Sequence, residues 1–404
     1  MHCALRRART AWNPSVDGSR RPSGNAMKTK GTWMSLVTTG VLMIASVLPV
    51  QAAPGDGGNV HAVTEASARD VAAWLGQPAL ADAVVDALAA HPDRGLPLTS
   101  VMAKADPDGS SLAARTLAGR DGLVRQYKGL PAGARSLLQV RSFVPAGQVL
   151  SAVAPADLWV AVLPTGDDRT WTSMVAYDRH GRQHLLDAQI APTFPVLIVD
   201  IDTGQAVQEG MALINAGLQA RGLQSADRLT VTANGASSLD VTRLDRIRLV
   251  NDGEPWALGG AEVFAVVSGL QIDTAEPEMA TVSLPYLDHD KTDYTPGQPL
   301  VIWGNYRFDT ANVQLFEDDG DTNYKDLLIA LTEGVKLALG AFAPEYAVIA
   351  DIGGAILKAM PSGWFTNDTD YLDSFYLLQR GQRYTGRMGA ANNAQVTLSP
   401  LTLQ

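Results

Sequence analysis

Cysteine is almost absent from this 404-residue chain: the single one, Cys3, lies ahead of the segment that reads as an export signal. Without that leader, the mature chain has no disulfide and no cysteine nucleophile. Exported proteins ordinarily have access to disulfides, so this protein must be held together by core packing, helped by metal where one binds. Zinc sites built on cysteine are excluded as well.

Long apolar runs are also missing, with one exception. The run WMSLVTTGVLMIASVLPV follows Lys30 and leads to a small-residue site at Ala52, an order typical of a secretory signal peptide. We predict a true start at Met27 and a leader over residues 1–52, with cleavage after Ala53 as an alternative. An uncleaved anchor helix is the competing interpretation, but the run is short for a bilayer span. The protein is therefore expected to be secreted or periplasmic, with no membrane span in the mature chain.

Positive charge is scarce once the leader is removed. The leader holds seven of the 32 Lys and Arg residues and one of the 42 Asp and Glu residues. The mature chain thus carries 25 basic and 41 acidic side chains, a formal charge of −16. This excess argues against nucleic acid as a partner and favours cations, or an unknown extracellular or cell-surface ligand.

Familiar catalytic motifs are missing too: there is no GxSxG elbow, no HExxH and no glycine-rich phosphate loop. His180 and His184 flank a hairpin turn, and Asp200 and Asp202 end a strand, so both pairs are interpreted as structural. No catalytic residue is predicted, and a non-enzyme is favoured. The alternative is a secreted hydrolase with its active site in the N-terminal domain or in a domain cleft.

The elements that are present divide the chain into two domains. Residues 53–60 read as a small-residue linker. Amphipathic helices followed by short strands predict an α+β domain over residues 61–240. Strand-like runs between polar turns predict an all-β sandwich over residues 241–404. A helical pair is inserted in the sandwich at about residues 324–360.

Carboxylates are crowded in two stretches of the predicted sandwich, FEDDGDTNYKDLL and FTNDTDYLDSFY, each next to a strand. A third acidic corner contains Asp252 and Glu254, and a fourth contains Asp288 and His289. Like charges this close repel one another unless a cation or open water compensates them. If these corners share one end of the sandwich, roughly six to eight oxygens could converge, which is the number that Ca²⁺ takes. Solvated turns of an acidic exported protein are the alternative.

A calcium site here does not follow the helix-loop-helix template. When the template starts at Asp319, Tyr324 stands at its glycine position and Ala330 at its final glutamate position. A site would therefore have to be assembled from several loops.

Four motifs carry a resemblance to a known family: IRLVNDGEPWALGGAEVFAVVSG, LPYLDHDKTDYTPGQPLVIW, LFEDDGDTNYKDLLIAL and AMPSGWFTNDTDYLDSFY. They resemble an uncharacterised family of secreted bacterial proteins, a domain of unknown function with no established activity. The acidic loops are also similar to those of C2-like sandwiches, which hold calcium at one end; the helical pair inserted between them departs from that pattern. The similarity implies a ligand set of Asp318, Asp319, Asp321, Asp368, Asp370 and Asp373, to which we add Asp252 and Glu254. The function expected is calcium-dependent structure or binding outside the cytoplasm.

Overall fold

The structure is a computed structural model. It describes residues 57–360 and 371–404, except residues 93, 167, 228–229, 232–236, 252–254, 275, 319, 321 and 340–344. The leader, including the predicted signal peptide, lies outside the described residues.

Seven α-helices occur among the described residues, and capping residues or proline mark the start of three of them. They are α1 (Gly57–Trp74), α2 (Pro78–Ala89), α3 (Leu98–Ala105), α4 (Leu112–Tyr127), α5 (Thr203–Ala220), α6 (Tyr324–Leu339) and α7 (Glu345–Ala359). Proline opens α2, where a missing N–H costs nothing. Side-chain caps open α4, at Ser111, and α5, at Asp202. Single 3₁₀ turns occur at Leu150–Ala152, Pro155–Asp157, Asp168–Thr170 and Trp303–Asn305.

Residues 57–60, the last four residues of the predicted linker, are helical in the structure, since α1 begins at Gly57. Val60 and Val63 are one turn apart on this helix, and both are buried in the core that also contains α5. Burial of this apolar pair favours helix over the extended chain that the small residues suggested.

The N-terminal part contains a mixed six-stranded sheet in the order β1-β2-β6-β3-β4-β5. Its strands are β1 (Leu96–Pro97), β2 (Leu138–Phe143), β3 (Trp159–Val162), β4 (Ser173–Tyr177), β5 (Gln183–Asp187) and β6 (Val196–Ile201). The neighbours β3 and β6 are parallel, and the other pairs are antiparallel. Helices α1 to α4 contribute to the core on one face of this sheet.

The C-terminal part is a β-sandwich of a four-stranded and a five-stranded sheet. The four-stranded sheet has the order β10-β9-β12-β13, and the other has the order β11-β8-β15-β14 with β7 paired to β8. The strands are β7 (Thr230–Val231), β8 (Ser237–Leu249), β9 (Val263–Leu270), β10 (Pro277–Ser283), β11 (Gln298–Ile302), β12 (Thr310–Glu317), β13 (Tyr371–Gln379), β14 (Tyr384–Met388) and β15 (Ala394–Leu403). Alternate residues of both sheets fill one core between them. The chain therefore has an α+β fold that includes a β-sandwich.

Helices α5, α6 and α7 cover the outer face of the four-stranded sheet. Their apolar residues share one core with Phe264, Phe316 and Met279 on that face. Helices α6 and α7 follow β12 and precede β13 in sequence, yet these two strands pair directly. The helical pair is thus an insertion that leaves the sheet continuous. The core runs across residue 240, and the division into two domains at that point stays a prediction.

Candidate functional site at the acidic end of the sandwich

The strand register brings four corners of the chain to one end of the four-stranded sheet, which we call the acidic end. Phe316 pairs with Tyr371, so the C-terminal end of β12 lies beside the first residue of β13. Phe316 also pairs with Phe264, near the start of β9. Phe264 in turn pairs with Ser283, the last residue of β10. Neighbouring antiparallel strands enter and leave a sheet at shared ends. The described residues next to the acidic stretches are therefore close in space.

Two of the eight predicted metal ligands, Asp318 and Asp373, are described, and they lie on different sides of the four-stranded sheet. Asp318 contacts Tyr324, which belongs to the core under α5 to α7. Asp373 contacts Ala394, which belongs to the core between the two sheets. The other six candidates lie outside the described residues: Asp319, Asp321, Asp368, Asp370, Asp252 and Glu254.

Asp318 is fully buried in an ion pair with Lys128, the C-cap residue that follows α4. The Lys128 ammonium donates to both carboxylate oxygens, Oδ1 at 3.1 Å and Oδ2 at 3.0 Å. The backbone N–H of Gly320 donates to Oδ1 at 3.0 Å, and the Tyr324 hydroxyl donates to Oδ2. Each oxygen therefore has two protein donors.

Asp373 is also fully buried, and its carboxylate orders the turn between β14 and β15. Four backbone N–H groups donate to it at 2.7–2.8 Å, those of Ser374, Ala391, Asn393 and Ala394. Gly389 allows this close packing, because a Cβ at that position would lie 2.2 Å from the Asp373 carboxyl carbon. The four hydrogen bonds satisfy the acceptor capacity of both carboxylate oxygens.

A cleft of about 430 Å³ opens beside the acidic end, between the first turn of α5 and the corners of the sandwich. We call it the junction cleft. It is lined by Gly204, Val207, Gly259, Gly260, Ala261, Glu262, Val263, Ser283, Pro285, Asp288 and His289. The backbone at Gly260 approaches Asp288 so closely that a Cβ would lie 2.8 Å from the Asp288 Cβ. The described lining contains two carboxylates and one imidazole, and neither Lys nor Arg.

Burial changes the electrostatics next to this cleft. Burial raises the pKa of the Asp202 carboxyl, although the hydrogen bond from the Gln205 N–H opposes the shift. Burial likewise raises the pKa of Asp200, and the ion pair with Arg141 at 2.6 Å opposes it. Asp202 caps α5, so the sequence prediction that the two aspartates close a strand before a helix is confirmed.

The remaining candidates are placed as follows. His180 lies within the turn between β4 and β5, where Gly181 adopts a positive φ, and His184 lies on β5; the hairpin was predicted, but only His184 lies outside its turn. Among the described residues, no group of three or more His, Cys, Asp or Glu side chains is arranged to hold a metal ion. None of the described helices has both the length and the apolarity to cross a membrane.

Sequence reasoning missed Lys128 and the pairing partners of Asp318. Lys128 precedes Gly129 at the end of an amphipathic helix, where lysine is ordinarily exposed. The signal in the sequence was the glycine at position 129; in the structure its φ is +68°, and a Cβ there would lie 2.4 Å from Asn323 Oδ1. Glycine at that position indicates a tight contact but does not identify the partner.

Comparison with family models places the chain in a family. The model of a family described as "Protein of unknown function (DUF3103)" matches residues 69–404. No curated protein and no solved structure matches the chain.

Proposed function

We propose that this chain, which belongs to the DUF3103 family of proteins of unknown function, is an exported protein that binds calcium at the acidic end of a C2-like sandwich. Calcium there orders the loops and supports binding of a partner outside the cytoplasm. The ligands we propose are Asp319, Asp321, Asp368 and Asp370, with Asp252 and Glu254 from the neighbouring corner.

The observation that carries this proposal is the pairing of Phe316 with Tyr371. Asp319 and Asp321 follow Phe316 within five residues, and Asp370 directly precedes Tyr371. Carboxylates attached to such neighbouring strand ends repel one another in a protein with an excess of acidic residues. A divalent cation with hard oxygen ligands removes that repulsion and couples loop order to calcium concentration.

Two further features support export and the C2-like comparison. The leader has the residue order of a signal peptide. The sandwich packs two sheets over one core, with its acidic stretches next to strand ends, as in C2-like domains. The helices α6 and α7, inserted between the two stretches, distinguish it from a plain C2-like domain.

The proposal is tested by thermal unfolding of the mature chain in EDTA and in calcium. We expect calcium to raise the melting temperature, as a ligand that binds only the folded state must. Asp319→Ala and Asp370→Ala should each remove most of that rise while the N-terminal part stays folded. Asp82→Ala, at an exposed position on α2, is the matched control and should leave the rise unchanged. If the melting temperatures of the wild type and of every variant are the same in EDTA and in calcium, the calcium site is excluded.

The junction cleft supports a second candidate, a secreted hydrolase. Glu262, Asp288 and His289 line one cavity between the two parts of the chain, and such groups can serve as acid and base. A hydrolase should turn over at least one substrate in ester, peptide and glycan panels, and Glu262→Gln or His289→Asn should abolish that turnover. If none of the panels shows turnover above the rate of a Glu262→Gln control, the hydrolase candidate is rejected.

A further inference from the structure

Lys128 is the least expected charge in the structure. Lysine is rarely buried without a partner, yet this side chain and that of Asp318 have no exposed surface. The two residues are 190 positions apart in sequence. A lysine ammonium that has lost all its water must have its hydrogen bonds and its charge compensated inside the protein.

The ion pair is completed by Tyr324 and by the backbone around it. The ammonium lies 5.1 Å from the centre of the Tyr324 ring, and the tyrosine hydroxyl donates to Asp318. Burial, and the negative charge of Asp318, raise the pKa of Tyr324 well above its ordinary value, so the hydroxyl keeps its proton and remains a donor. The backbone N–H of Tyr324 donates to the Lys128 carbonyl at 3.0 Å.

The same cluster ties three segments together at the acidic end. Asn323 donates through Nδ2 to the Tyr127 carbonyl at 2.8 Å, which joins α4 to the turn before α6. The Asp318 N–H donates to the Glu262 carbonyl at 3.2 Å. Glu262 is in turn a wall of the junction cleft. The position of Glu262 in the cleft lining therefore depends on the backbone around Asp318, to which it is hydrogen-bonded.

We propose that Lys128 is a positioning residue whose ammonium is the built-in counter-cation of Asp318, in the place that a metal ion would otherwise take. Asp318 then belongs to the protein's own ion pair, and the calcium response of the acidic end comes from other carboxylates. The calcium part of this inference rests on the proposed function. The ion pair itself does not.

The inference predicts a gain of calcium response when Lys128 loses its charge. Lys128→Met leaves Asp318 buried without a cation, and it should lower the melting temperature in EDTA by roughly 5–10 °C. The Asp318 carboxylate then has no counter-cation, and the ammonium no longer repels calcium from it, so the calcium-induced rise should exceed that of the wild type. A merely structural role of Lys128 would lower the melting temperature without enlarging this rise. Lys104→Met, at an exposed position on α3, is the matched control.

The double variant Lys128→Met/Asp318→Asn removes both charges and keeps the inference testable if the single variant fails to fold. In EDTA, its melting temperature should return most of the way to the wild-type value. Calcium should then raise that melting temperature by as much as it does in the wild type. A double variant that loses that rise would show that Asp318 is a metal ligand and overturn the inference. So would a Lys128→Met variant that folds but gains no calcium response. If calcium stabilises Lys128→Met but not the wild type, the proposed function fails and the inference stands.

Discussion

At the scale of single residues, two buried carboxylates, Asp318 and Asp373, receive hydrogen bonds from donors of the protein itself. Asp318 uses a lysine, a tyrosine and one backbone N–H, and Asp373 uses four backbone N–H groups. Hydrogen bonds to a charged acceptor are stronger than those between neutral groups. These two residues therefore contribute to stability through hydrogen-bond donors that belong to the protein.

Asp373→Ala tests this contribution directly. The change leaves four backbone donors without their acceptor, two of them, at Ser374 and Ala394, in buried hydrogen bonds, so we expect the free energy of unfolding to fall by about 3 kcal/mol. Urea unfolding, followed by circular dichroism in EDTA, measures the loss. Asp82→Ala on α2 should change the same quantity by less than about 0.5 kcal/mol. An equal, small effect of both variants would contradict the role given to Asp373.

A second residue, Asp178, makes stability depend on pH. Burial would raise the pKa of its carboxyl. Hydrogen bonds from His184, the backbone N–H and side chain of Arg182, and the backbone N–H of His180 outweigh it and hold the pKa well below its ordinary value. A depressed folded pKa gives stability that is present above the unfolded value near 3.8 and is lost as pH falls toward the folded pKa. Melting temperatures between pH 6 and pH 2 should therefore fall less steeply in Asp178→Asn than in the wild type. Parallel curves would contradict this assignment.

At the scale of elements, close helix packing explains which glycines are needed. Gly210 on α5 faces the Tyr324 ring at the start of α6, and a Cβ there would lie 2.2 Å from two ring carbons. Gly119 on α4 has no atom within 4 Å of the corresponding position. The two glycines therefore give opposite predictions for the same change to alanine.

Gly210→Ala should lower the free energy of unfolding by about 1–3 kcal/mol, because overlap with Tyr324 exceeds the gain in helix propensity. Gly119→Ala should raise it by about 0.5–1 kcal/mol, since only the propensity changes. Urea unfolding of both variants gives the comparison. A stabilised Gly210→Ala would show that α5 and α6 are not packed as closely as described.

Elements with strong local signals were predictable from the sequence, and contacts across the fold were not. Alternation and turn chemistry are local, so the hairpin at Gly181, the sandwich strands and the inserted helices were anticipated. Helix α3 was not predicted, because its eight residues are too few for a clear periodicity. The pairing of Lys128 with Asp318 joins segments 190 positions apart, and no local pattern indicates it. The acidic corners could be seen in the sequence, but only the strand register brings their neighbours together.

At the scale of the whole molecule, one core joins the helical layer to the sandwich. Met211 and Ile214 of α5 and Phe264 and Met279 of the four-stranded sheet are buried in the same cluster, and the Lys128–Asp318 pair crosses the same junction. Units that share a core and a buried ion pair stabilise each other, so separate unfolding would expose apolar surface on both sides.

We therefore expect the mature chain to unfold in a single cooperative transition, although its sequence reads as two domains. Hydrogen exchange in increasing urea tests this, because amides of β6 in the six-stranded sheet and of β9 in the sandwich should lose protection at the same urea concentration. A fragment of residues 241–404 lacks α5 and so exposes the apolar surface that this helix covers; its urea midpoint should be clearly lower than that of the mature chain. Lys128→Met/Asp318→Asn should keep the two sets of amides coupled, because the apolar core remains. Loss of β6 protection well before β9 in the mature chain would instead support two independent domains divided near residue 240.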